Sequence, residues 1–126
     1  MKYVLCLLSL LCFTFTTTLA QSTPVGNWKM TVPTEDGSTM SVKVSIKSDG
    51  TYDVDFGMDG NVEVKGEYKM DGNQMTIKDV SSGENSCSGE GVYTFEVSGD
   101  SLKMTRVKDA CPDRGGPEGV MVFSKA

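Results

Sequence analysis

The side chains able to do chemistry in this chain of 126 residues are few, and their types narrow what that chemistry is. There is no histidine. That excludes Ser-His-Asp and Cys-His catalysis, His-ligated zinc and imidazole acid–base work near neutral pH. No Gly-x-Ser-x-Gly elbow and no phosphate-cradling glycine loop is present. Paired carboxylates such as Asp53 and Asp55 would need a cleft between them for glycosidase chemistry, and neighbours on one strand face do not make one. Asp49, Asp53, Asp55, Asp59 and Glu63 invite a calcium site, but an EF-hand loop does not fit. Counted from Asp55, the third position is Gly57 and the twelfth is Gly66. Their alternation with Tyr52 and Val54 favours a solvated strand face. Two thiols without histidine, Cys87 and Cys111, make an incomplete zinc site. The expectation is a non-enzymatic protein with no metal and no cofactor. A net charge of −5 argues against nucleic acid, which is bound through phosphate neutralisation by Lys and Arg.

One cation stands out. Counting by twos from Leu102 and Met104 places Arg106 on an apolar face, where a guanidinium is costly unless paired. Three readings stay open. A bulge turns Arg106 outward and Val107 takes the inner place. Arg106 stacks on Trp28 as a structural cation–π partner. Or it anchors a ligand carboxylate, with Tyr52, Tyr68 and Tyr93 as hydrogen-bonding companions and Phe95 and Met104 beside them.

The elements that must position these residues are strands. Residues 1–20 read as a secretory signal peptide: Lys2, an apolar run from Val4 to Phe13, then Thr18-Leu19-Ala20. Cleavage after Ala20 starts the mature domain, 21–126, at Gln21, and leaves no membrane span. An uncleaved anchor or a lipoprotein at Cys12 are weaker alternatives. Asp-Gly or Gly-Asp pairs recur at 36–37, 49–50, 59–60, 71–72 and 99–100, a hairpin signal of the type I′ kind. Between them the apolar period is two: Met40-Val42-Val44-Ile46, Tyr52-Val54-Phe56, Val62-Val64 continuing to Tyr68-Met70, Met75-Ile77 and Tyr93-Phe95-Val97. Adding Trp28-Met30-Val32, Leu102-Met104 and Val120–Phe123 makes eight strands. Closing them into an all-β, antiparallel up-and-down barrel hides both edges. A two-sheet sandwich is the alternative. The interior of such a barrel is either filled by these side chains or holds one small ligand.

Gly99 lies midway between Cys87 and Cys111. The cysteines therefore face each other at the open end of one hairpin, and a disulfide there closes a loop of about 25 residues worth roughly 3 kcal/mol. A disulfide also implies an oxidising compartment, secreted or periplasmic.

Gly26-Asn27-Trp28 at the head of the first strand resembles the opening Gly-x-Trp of lipocalins and their calycin relatives. Gly66-Glu67-Tyr68, Gly91-Val92-Tyr93 and Asp109-Ala110-Cys111-Pro112-Asp113-Arg114 resemble small secreted bacterial lipocalin-like domains. The resemblance covers most of the mature chain. It implies structural roles for Gly26 and Trp28, with Arg114 or Arg106 packed on the tryptophan at the closed end. It also implies binding of a small apolar or amphipathic molecule inside the barrel, where internal arginines of fatty-acid-binding relatives hold a carboxylate. A rival belongs to another class: periplasmic inhibitors of secreted proteases are barrels of this size that act through an N-terminal arm, here Gln21–Val25, on a protein partner. A structural envelope module without a pocket is the third expectation.

Overall fold

A computed structural model describes residues 23–126; the expected signal peptide lies outside the described residues. The eight strands are β1 (Gly26–Pro33), β2 (Thr39–Ile46), β3 (Thr51–Phe56), β4 (Val64–Asp71), β5 (Gln74–Asp79), β6 (Gly91–Ser98), β7 (Ser101–Asp109) and β8 (Val120–Lys125). Each pairs antiparallel with its neighbour, and β8 returns to β1 to close the barrel. The period-two pattern explains the closure, because each strand has one apolar face to hide and one polar face to leave in water. Trp28, Val42, Ile46, Tyr52, Val64, Tyr68, Met75, Ile77, Tyr93, Leu102, Met104 and Phe123 are buried inside.

The Asp-Gly turns differ from the type I′ expectation. Gly37, Gly50, Gly60, Gly72 and Gly99 have positive φ, but their aspartates do not. Asp49 instead accepts the Thr51 N–H at 3.0 Å, and Lys47 and Thr51 close the hairpin around a single left-handed glycine. This is a three-residue loop with a bulge, where only one residue needs the left-handed region. Two expected core residues are also outside. Val62 lies in the β3–β4 loop, since β4 starts at Val64, and Met70 sits where β4 has run past its last pairing with β3, at Thr51–Glu67. Both are exposed: Val62 has no strand partner, and Met70 is paired with Met75 of β5 but has no partner on the β3 side.

One end of the barrel carries the short turns and is closed by the N-terminal segment. Pro24 is fully buried, and its carbonyl accepts the Trp28 Nε1–H at 2.7 Å. Gly26, at φ 146°, redirects the chain from this plug into β1. The other end carries the β1–β2 turn, 34–38, and the longer connections 57–63, 80–90 and 110–119, which follow β3, β5 and β7, strands that all run in the same direction.

Candidate functional site

The densest polar constellation fills that second end. Asp79 and Asp109 are the last residues of β5 and β7. Arg114, in the β7–β8 loop, grips Asp109 with two parallel bonds, Nε to Oδ2 at 2.9 Å and a terminal nitrogen to Oδ1 at 2.8 Å. The same guanidinium donates to the carbonyls of Cys87 at 3.2 Å and Gly89 at 2.5 Å, and lies 3.7 Å from Asp79. Tyr52 donates to Asp79 and Tyr93 to Asp109, each at 2.5 Å. The backbone N–H of Cys87 binds Asp79 and that of Cys111 binds Asp109, both at 2.8 Å. The Cys87–Cys111 disulfide, with Cα atoms 6.2 Å apart, ties the two loops together beside this network. It is consistent with an oxidising compartment.

Glycines make room for it. A Cβ on Gly66 would fall inside the Tyr52 ring, and one on Gly91 would lie 2.5 Å from an Asp109 oxygen and 2.9 Å from the Tyr93 ring. Gly66 of β4 thus seats the Tyr52 ring of β3, and Gly91 makes room for the Tyr93 ring of its own strand and for the Asp109 carboxylate of β7.

Burial raises the Asp109 carboxyl, but the Arg114 and Tyr93 hydrogen bonds, the Cys111 N–H and the Arg114 charge together bring it below the usual range. Burial, and then the hydrogen bonds and charges of Asp79 and Asp109, push the Tyr52 and Tyr93 phenols up. Both stay protonated donors. Both carboxylates here are already engaged by hydrogen bonds. The arrangement holds loops in place.

Arg106 belongs to its edge. β7 bulges opposite Val92 and Tyr93, so that Tyr93 pairs with Arg106 while Val107 is skipped. The expected bulge exists, yet it expels Val107, which is 54% exposed, and keeps Arg106 on the inner side beside Tyr93. One terminal nitrogen donates to the Arg114 carbonyl at 2.6 Å and the Gly116 carbonyl at 2.7 Å, and Nε is buried without a partner. The cation over Trp28 is neither arginine. It is Lys125, 5.1 Å from the ring centroid. The reason is topological: Trp28 pairs with Lys125 at one end of the barrel, and both arginines are held by loops at the other.

The structure therefore brings Tyr52, Tyr93, Arg106 and Arg114 together and leaves the remaining candidates elsewhere. Tyr68 donates to the Lys47 carbonyl by the β2–β3 turn. Met104 is in the core and Phe95 is half-buried against it. Asp79 and Asp109 carry the network and had a legible signal in part: Asp79 continues the inner-face count from Met75 and Ile77.

Three further features complete the surface. Asp55, Asp59 and Glu63 converge within 4.8 Å, although Asp55 accepts the Gly60 and Asp59 N–H groups and Glu63 accepts that of Phe56. Met30, Val32, Met40, Phe56 and Met121 leave the inner face half-buried where β1 and β3 end and β2 and β8 begin. A groove of about 430 Å³ follows the β1–β8 seam, lined by Lys29, Met30, Thr31, Ser41, Ser101, Val122, Phe123 and Ser124. Comparison of the chain with family models, curated proteins and solved structures returned no match.

Proposed function

We propose that this is a secreted, lipocalin-like, non-enzymatic binding protein of the calycin kind, which takes up a small apolar or amphipathic molecule at its methionine-lined mouth. The single observation that carries the reading is the half-buried inner face formed by Met30, Val32, Met40, Phe56 and Met121. Flexible, polarizable methionines suit irregular apolar ligands. The opposite end is stoppered by Pro24 and Trp28, and the Arg114 network fills the loop end on the β5–β7 side. Arg106 and the tyrosines are thereby reassigned: their hydrogen-bonding atoms serve the loops, so ligand recognition rests on shape and apolar contact.

An arm-inserting inhibitor draws less support, because Pro24 and Val25 fold back against the barrel. The test is native mass spectrometry of protein from its own compartment, followed by titration with a fluorescent fatty acid. Met40→Glu is expected to weaken probe binding at least tenfold and Arg106→Gln to leave it unchanged. A loss with Arg106→Gln alone would return the site to the arginine, and no binding by the unmodified protein would sink the reading.

A further inference from the structure

The closure of the barrel is short. β1 and β8 pair only at Trp28–Lys125 and Lys29–Ser124, with one further bond from the Ala126 N–H to the Asn27 carbonyl. That bond sets the parity of the edge. Asn27 and Lys29 aim their backbone groups at β8, so Thr31 does too, since alternate residues of a strand bond to the same side. On β8, Lys125 donates to Asp100 across β7, so Ser124, Val122 and Val120 aim at β1. Thr31 and Val122 would form the next hydrogen-bonded pair, yet the ladder stops before them. Above Lys29 the two strands splay, and the groove opens between them with Met30 and Phe123 in its lining.

Two facing rows of unladdered N–H and C=O groups form a template for one extended chain. We propose that the β1–β8 slit accepts a short peptide strand from another protein, four to five residues long, with apolar side chains alternating with acidic ones. The length follows from the unpaired stretches, Met30–Pro33 and Val120–Phe123. The apolar side chains would meet Met30 and Phe123 through the slit.

The acidic preference follows from the rim. Lys29 and Lys43 stand directly opposite each other on the outer face, and Lys103 stands opposite Val122. None of these three joins an ion pair among the described residues. Asp55, the ladder neighbour of Lys43, is taken up by loop N–H groups. A like-charge pair across a ladder is destabilising until an anion joins it.

The experiment uses the mature protein and a labelled, end-capped seven-residue peptide alternating valine and glutamate. Anisotropy is expected to show saturable binding that weakens at least tenfold when lysine replaces glutamate in the peptide. Thr31→Pro removes only a slit-facing N–H and is expected to weaken binding at least tenfold. Should that variant fold poorly, amide hydrogen exchange of the unmodified protein decides: the Thr31, Val120 and Val122 amides gain protection when peptide is added. The proposal is overturned if the peptide does not bind, if it binds without protecting those amides, or if they are already protected in a dimer formed without peptide.

Discussion

Arg114→Met tests whether the polar plug holds this barrel end together. The substitution keeps the length of the side chain and removes its charge. Asp109, whose side chain is fully buried, and Asp79, at 6% exposure, would then share a site with no cation. The Cys87 and Gly89 carbonyls lose their donor as well. Removing one partner of a buried pair costs about 3–5 kcal/mol, because the remaining charge stays desolvated. A domain of this size has roughly 5–15 kcal/mol in total. The expected fall in Tm is therefore roughly 12–40 °C, at about 4–8 °C per kcal/mol for a chain near 100 residues. Thermal and urea unfolding read it directly. A cost under about 1 kcal/mol would class the pair with solvent-screened surface bridges and refute the reasoning.

The pH dependence supplies an independent sign. In the native protein the Asp109 carboxyl is held below its ordinary range. Its contribution is complete above the unfolded value, about 3.9, and disappears as pH falls through the lower folded one. In Arg114→Met burial acts without its largest opponent and raises that carboxyl, so acid relieves the variant while it weakens the parent. The stability gap between the two should narrow from pH 7 towards about pH 3. A gap that stays constant or widens would show that Arg114 acts through packing alone.

Replacing both Cys87 and Cys111 by serine should lower stability by about 3 kcal/mol in denaturant titration, as expected for a loop of this length; intact-mass measurement should also show a gain of two hydrogens on reduction. Gly66→Ala forces a methyl into the Tyr52 ring and should cost about 1–3 kcal/mol by overpacking, read from the urea midpoint. Asp55→Asn weakens the charge-assisted bonds to the Asp59 and Gly60 amides, worth about 1.5–3 kcal/mol. Those amides should exchange roughly tenfold faster while the Cys111 amide does not change. Faster exchange at Cys111 as well would mean that the two loops open as one unit.

The strands were legible because their signal is local. Tyr52-Val54-Phe56 flanked by Asp-Gly turns has one low-energy solution once neighbours are present, and the cysteines follow from the hairpin that separates them. The site was less legible because its members meet through the barrel. Tyr52 and Asp79 are joined across β3, β4 and β5, and nothing in sequence spacing sets which side chain a phenol will reach. Arg106 illustrates the limit. Its inner position could be counted by twos, but whether the bulge would expel Arg106 or Val107 depends on the carbonyls of Arg114 and Gly116, supplied by a loop with no periodicity.

Seen from the loop end, much of the acidic composition has a positional logic. β3, β5 and β7 run in the same direction, and each carries a buried or half-buried aspartate at or next to its end: Asp55 one residue before the end of β3, and Asp79 and Asp109 as the last residues of β5 and β7. Each accepts backbone N–H groups from the loop that follows it, at Asp59 and Gly60, at Cys87, and at Cys111. A loop cannot satisfy its own amides as a strand does, and a strand-terminal carboxylate is a compact acceptor for them. Asp55, which the sequence pattern placed on a solvated face, is buried under the loop that follows β3 and is held by amides alone. Asp79 and Asp109 both lie beside Arg114, which arrives from the last loop as their shared cation. The same guanidinium donates to the carbonyls of the first cysteine and of Gly89, while the second cysteine is three residues before it. The disulfide and the ion pair thus constrain the same two loops by different physics, one by covalent closure and one by electrostatics.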